Sequence, residues 1–210
     1  MSDDYNVLSI DIDWCQSHFH LDKLNKLFYD KIGKAKKIVF AKHHHQIIPE
    51  IVNENNIILH NIDHHHDIQY EEWQIADIEN GKATHGCWVG NLMEYQKIKE
   101  YYWYNNLDSD LNFTNFVSLF LVNENLPFSI EDDLNKAKEV EVYDLIFVCH
   151  SPDYVTSVWG VLYQSYFDCC KALYNSKTTT NKLATDMRNS PIFLKMEKHD
   201  ERSFKRFDET

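Results

Sequence analysis

Four short apolar runs, each stopped by ionisable residues, set the strongest limit on what this chain can fold into. Val7-Leu8-Ser9-Ile10 runs into Asp11-Ile12-Asp13, and Lys37-Ile38-Val39-Phe40-Ala41 is followed by His43-His44-His45. Ile57 to Ile62 leads into Asp63-His64-His65-His66-Asp67, and Asp144 to Cys149 ends in His150-Ser151-Pro152-Asp153. Runs this short, rich in β-branched and aromatic side chains, read as buried strands. Residues 20–33 carry Leu21, Leu24, Leu27, Phe28 and Ile32 near helical spacing, with Gly33 as a stop. Residues 44–55 open a second helix with Ile47, Ile48 and Ile51 on one side, and residues 153–174 form a long closing one. Further strands are expected around 99–105 and 116–122 in an aromatic-rich stretch. Strand, helix, strand, helix, strand at this spacing predicts an α/β protein, a three-layer α/β/α fold with a mainly parallel sheet.

With 210 residues and few Gly and Pro, one domain over 1–196 and a charged tail over 197–210 are expected. No apolar run reaches the length of a membrane span, and the acidic N-terminus does not resemble a signal peptide. The five cysteines form no CxxC pair, so reduced thiols and a cytoplasmic location are expected. Cys15 and Cys87 have no basic neighbour and read as packing residues. A net charge of −12 argues against general nucleic-acid binding, which needs a basic face.

Open α/β sheets place ligands at the carboxyl ends of their strands, which is where the ionisable residues cluster. In an extended segment, side chains i, i+2 and i+4 share a face. Asp11 and Asp13 would then point together, as would Asp63, His65 and Asp67. Four converging carboxylates repel one another, and two divalent cations would cancel their charge. Carboxylate and imidazole ligands without thiolate suit Mn²⁺, Fe²⁺ or Zn²⁺, with the oxygen-rich set leaning toward Mn²⁺. Two such ions roughly 3.5–4 Å apart can hold a bridging hydroxide.

Asp63-x-His65-x-Asp67 resembles the DxHxD motif of the ureohydrolases, the arginase and agmatinase superfamily, and Ser9-x-Asp11-x-Asp13 resembles their SxDxD motif. His44, after a strand, is similar to their lone metal histidine, and His85-Gly86 to their proton-shuttling pair. The resemblance covers about residues 7–155 and implies six metal ligands (Asp11, Asp13, His44, Asp63, His65 and Asp67) and two Mn²⁺. It also implies an arginase-like fold, with Asp67 bridging the metals and His85 passing a proton to the leaving amine. Two departures stand out. SxDxD precedes DxHxD, so the strand order would be rearranged, and the loops that hold free arginine are missing. Both features are similar to the small atypical peptide arginases, which convert arginine to ornithine in ribosomally made precursor peptides.

On that reading the partner is an arginine-containing precursor peptide, and Asp153, with His150 in support, is the candidate for holding the guanidinium. Asp153 also reads as a cap of the following helix, and the two roles are compatible. Trp73, Trp88 or Trp103 would line a peptide groove or belong to the core. Two other functions stay open: an agmatinase- or deacetylase-type hydrolase acting on a small cation, and a non-catalytic, metal-stabilised peptide-binding module.

Overall fold

A computed structural model describes residues 4–15, 17–69, 73–106, 128–131, 133–152 and 157–175. The chain divides into two compact units, Met1–Phe167 and Asp168–Thr210, and the sheet and cavity described below belong to the first.

Six strands, β1 (Tyr5–Asp11), β2 (Lys37–Ala41), β3 (Ile57–Ile62), β4 (Ile98–Tyr104), β5 (Phe128–Glu131) and β6 (Leu145–Cys149), form one sheet in the order β2-β6-β1-β3-β4-β5. Every neighbouring pair is parallel. Parallel strands need crossovers that cover both faces, which is why central strands lack polar alternation. All five residues of β6 and the last five of β1 are buried.

Helix α1 (His18–Ile32) connects β1 to β2. Ser17 caps it, its hydroxyl accepting from the His20 amide at 3.2 Å. Leu21, Leu24, Leu27 and Phe28 are buried, each worth about 1.5–3 kcal/mol of transfer free energy. Phe28 packs edge-on against Phe40 of β2, which meets Phe167 in the same manner. The opposite face of the sheet, Val7, Leu59, Tyr101, Trp103 and Phe147, packs with Ile47, Ile51, Trp88, Val89, Leu92 and Met93. These last residues belong to a 3₁₀ turn (His44–Ile47), α2 (Ile48–Ile51) and α4 (Trp88–Glu94), which follows α3 (Trp73–Glu79).

The helix expected over 44–55 is therefore a 3₁₀ turn and one helical turn, with Pro49 in the first turn where its missing N–H costs nothing. Two helices in 73–94 and the edge strand β5 go beyond the sequence reading. All six residues from Trp88 to Met93 are buried, so α4 has no polar stripe to show a helical period. The long helix is α6 (Ser157–Asn175), after α5 (Asn135–Glu139). The strand expected at 116–122 and the tail from 197 lie outside the described residues. Among the described residues no helix is long and apolar enough to cross a membrane.

The connection from β1 runs to one side of the sheet over the Phe40 face. That from β3 runs to the other side over the opposite face. Between these neighbours the winding reverses, which opens a crevice at their carboxyl ends.

Candidate metal centre

The crevice is a cavity of about 410 Å³ lined by Asp11, Asp13, His44, Asp63, His65, Asp67, Trp73, Gln74, Thr84, His85, Gly86 and Ser151. All six side chains expected as ligands face it. They arrive from the ends of β1, β2 and β3.

The local geometry differs from the expected extended alternation. Asp11 ends β1, and its Oδ1 accepts from the Asp13 amide at 3.2 Å, capping the 3₁₀ turn Ile12–Trp14. Asp63 repeats the device one strand over, its Oδ1 accepting from the His65 amide at 2.8 Å. A short aspartate satisfying the amide two residues on is an Asx turn. It brings residues i and i+2 together in bent backbone, where a strand would have ended without partners for its amides. Asp67 has a left-handed backbone, φ 52°, a conformation aspartate tolerates better than most residues. The start of α4 holds it there. Its carbonyl accepts from the amides of Val89 (3.0 Å) and Gly90 (3.4 Å), and the Trp88 indole N–H donates to its Oδ2 at 2.6 Å. Gly90 is required by close approach, because a Cβ there would lie 2.2 Å from the Ile68 carbonyl oxygen.

Nδ1 of His44 lies 3.3 Å from Asp11 Oδ2, 2.9 Å from Asp63 Oδ2 and 3.0 Å from Asp67 Oδ2. Its Nε2 lies 2.5 Å from the Ser9 hydroxyl, and its ring sits against Trp88 and Phe147. Nδ1 of His65 lies 3.5 Å from Asp13 Oδ2 and 3.7 Å from Asp63 Oδ1. Two groups, Asp11–His44–Asp63 and Asp13–Asp63–His65, have their ligand atoms mutually within 4.8 Å. These buried groups could hold a metal ion. Asp63 is common to both groups, and Oδ2 of Asp67 lies toward His44 and Trp88.

Without a cation the cluster is electrostatically costly. Burial pushes Asp67 up to about 8, the Asp63 charge adds to this, and His44 opposes it. Burial beside Asp11 and Asp63 also holds Asp13 well above the carboxylate range. Burial works against a charge on His65, but its contacts with Asp13 and Asp63 raise it to about 11. His44 is likewise raised against burial by Asp11, Asp63 and Asp67. Asp63, despite burial, is held well below the usual range by His44 and His65. The imidazoles are thus recruited as cations. Yet His44 Nδ1 and Asp63 Oδ2 are buried and make no hydrogen bond of good geometry, although only 2.9 Å apart. One N–H cannot satisfy three carboxylates, whereas a cation liganded by nitrogen and oxygens can. The donor set fits a metal.

The neighbouring histidines separate cleanly. His43 and His45 stack on each other, and His64 packs edge-on against His65. His66 is buried, accepts from the Ile68 amide at 3.1 Å and meets Trp103 edge-on. His85 is exposed on the cavity wall, its ring 6.3 Å from that of His45. His150 packs against Phe167 and does not line the cavity. Asp153 lies outside the described residues. Ser151, unremarked in the sequence reading beside its ionisable neighbours, lines the cavity and donates to Asp11 Oδ2. Of the three tryptophans considered, only Trp73 lines the cavity. Trp88 and Trp103 are buried and donate to Asp67 and to the Asp63 carbonyl. Cys15 and Cys87 are buried, and Cys87 pairs with Thr84 at 3.1 Å.

Comparison with known proteins finds no matching family model, no matching curated protein and no matching solved structure.

Proposed function

We propose that this chain is a dinuclear metal hydrolase of the arginase type, which removes urea from arginine side chains of a precursor peptide and leaves ornithine. The observation that carries the reading is Asp63, flanked on its two oxygens by the imidazoles of His44 and His65. His44, Asp11, Asp63 and Asp67 would hold one cation, and His65, Asp13 and Asp63 a second. Four carboxylates balance two divalent charges, and a nitrogen–oxygen set without thiolate favours Mn²⁺. This composition also separates the reading from single-metal deacetylation. The match to SxDxD and DxHxD supports guanidine chemistry, with both motifs on adjacent strands, β1 and β3.

A cation pair held by these residues would lower the pKa of a bound water and supply hydroxide near neutral pH. The chain's own residues then have distinct tasks. Trp88 and the amides of Val89 and Gly90 fix Asp67. Ser151 orients Asp11. His85, on the cavity wall, hands a proton to the departing amine. The guanidinium carbon gains the oxygen of water and loses its bond to the side-chain nitrogen, giving urea and a protonated ornithine amine. The lining contains no Lys or Arg among the described residues, so nothing there would neutralise the carboxylate of a free amino acid. That is compatible with an arginine embedded in a chain, and equally with a small guanidine that has no carboxylate.

The test is metal analysis of the purified protein together with urea release from an arginine peptide. Two Mn²⁺ per chain, lost in Asp63→Ala, and urea matched by ornithine in the peptide are expected. A protein that binds no divalent metal, or that releases no urea when loaded, would overturn the proposal.

A further inference from the structure

Two divalent cations would cancel the charge of the four floor carboxylates, so that little beyond the hydroxide would attract a guanidinium from below and its orientation would fall to the walls. Among the described residues the lining holds no further carboxylate. It does hold Trp73, the first residue of α3, 60% exposed although it belongs to the cavity. Its position is anchored. Gln74 and Ile78 of the same helix are buried, and the Ile78 carbonyl accepts from Asn91 of α4 at 3.4 Å. An aromatic ring on a fixed helix loses little entropy when a ligand settles on it.

We propose that Trp73 is a specificity-determining residue whose indole face stacks on the substrate guanidinium and so selects arginine over lysine. This rests on the hydrolase reading. A guanidinium is planar, delocalised and weakly hydrated, so it sheds water and lies flat on an indole, whereas an ammonium is a compact, strongly hydrated charge. The metal floor then meets a side chain already oriented by the wall.

The experiment uses the manganese-loaded full chain and two probes with neutral backbones, Nα-acetylarginine methylamide and Nα-acetyllysine methylamide. Trp73→Leu keeps an apolar side chain without a π face. It should raise KM for urea release by about two- to thirtyfold, the span of cation–π contacts from exposed to desolvated. kcat should change less than about twofold, and inhibition by the lysine probe should be unchanged. Trp73→Phe should restore most of the loss, and the metal content of both variants should match the wild type. Wild-type KM in Trp73→Leu, equal weakening of both probes, or a fall in kcat alone overturns the assignment while leaving the hydrolase intact. A wild-type protein that neither binds the arginine probe in calorimetry nor releases urea from it sinks both readings.

Discussion

Replacing Ser9 by alanine tests how the cavity prepares His44. Ser9 is wholly buried in β1, two residues before Asp11, with its hydroxyl 2.5 Å from His44 Nε2. His44 turns Nδ1 toward three carboxylates; with a cation held there, the hydroxyl would accept from Nε2–H and keep the Nδ1 lone pair aimed at the cation. Ser9→Ala removes one oxygen and little volume. The ring then keeps a buried N–H without an acceptor, costing about 1–3 kcal/mol, or moves that proton to Nδ1 and loses the ligating lone pair. Either route weakens metal binding. Loss of such a supporting partner lowers affinity by about 10–100-fold, or about 1.4–2.7 kcal/mol. Manganese titration by calorimetry, with circular dichroism to verify the fold, measures it directly. A folded Ser9→Ala protein that binds manganese with wild-type affinity would refute the tautomer argument.

Three further outcomes follow from other positions. His85→Ala should lower urea release by about 10²–10⁴-fold, the usual yield of a positioned acid or base, while manganese stoichiometry stays unchanged; full activity would remove His85 from the mechanism. Burial holds His60 down at about 4, so the unfolded chain takes up a proton that the folded one refuses. The associated stability is intact above about 6.5 and lost as pH falls from there toward 4, by up to about 3 kcal/mol. Urea denaturation of chelator-treated protein at pH 7 and pH 4.5 should show a smaller acid loss in His60→Gln, and parallel losses would count against this account. Lys31 is buried and donates to the carbonyls of Lys138 and Val140 at the end of α5. Lys31→Met should cost about 1–3 kcal/mol by stranding those acceptors without changing metal stoichiometry, a separation that thermal melts and metal analysis can read.

The parts of the fold legible in the sequence were those whose apolar residues kept a simple period. β6 is buried throughout, β1 over its last five residues and β3 at five of its six, β2 carries the apolar run Ile38–Ala41, and α1 shows its Leu21–Leu24–Phe28 stripe. α4 hid because it is buried on every side, and β5 because its four residues are only partly covered. The six candidate ligands are legible as charge at strand ends, but extended alternation does not account for their convergence. Asx turns at Asp11 and Asp63 and a left-handed Asp67 do the bending. The supporting partners left little trace. Ser151 is neutral beside His150, and Trp88 lies 21 residues from the carboxylate it serves. Such long-range pairings leave no local pattern to read.

The pairing of β1 with β3 sets Ile10 opposite Ile62, immediately before the two aspartate turns. The bearings of the cavity are therefore fixed by adjacency in the sheet and are indifferent to which segment is translated first. A polypeptide whose ends were joined and which was reopened in a different crossover would present its motifs in reversed succession and still enclose the same six ligands. Gene rearrangement could thus shuffle the text of such a protein while its chemistry stays put.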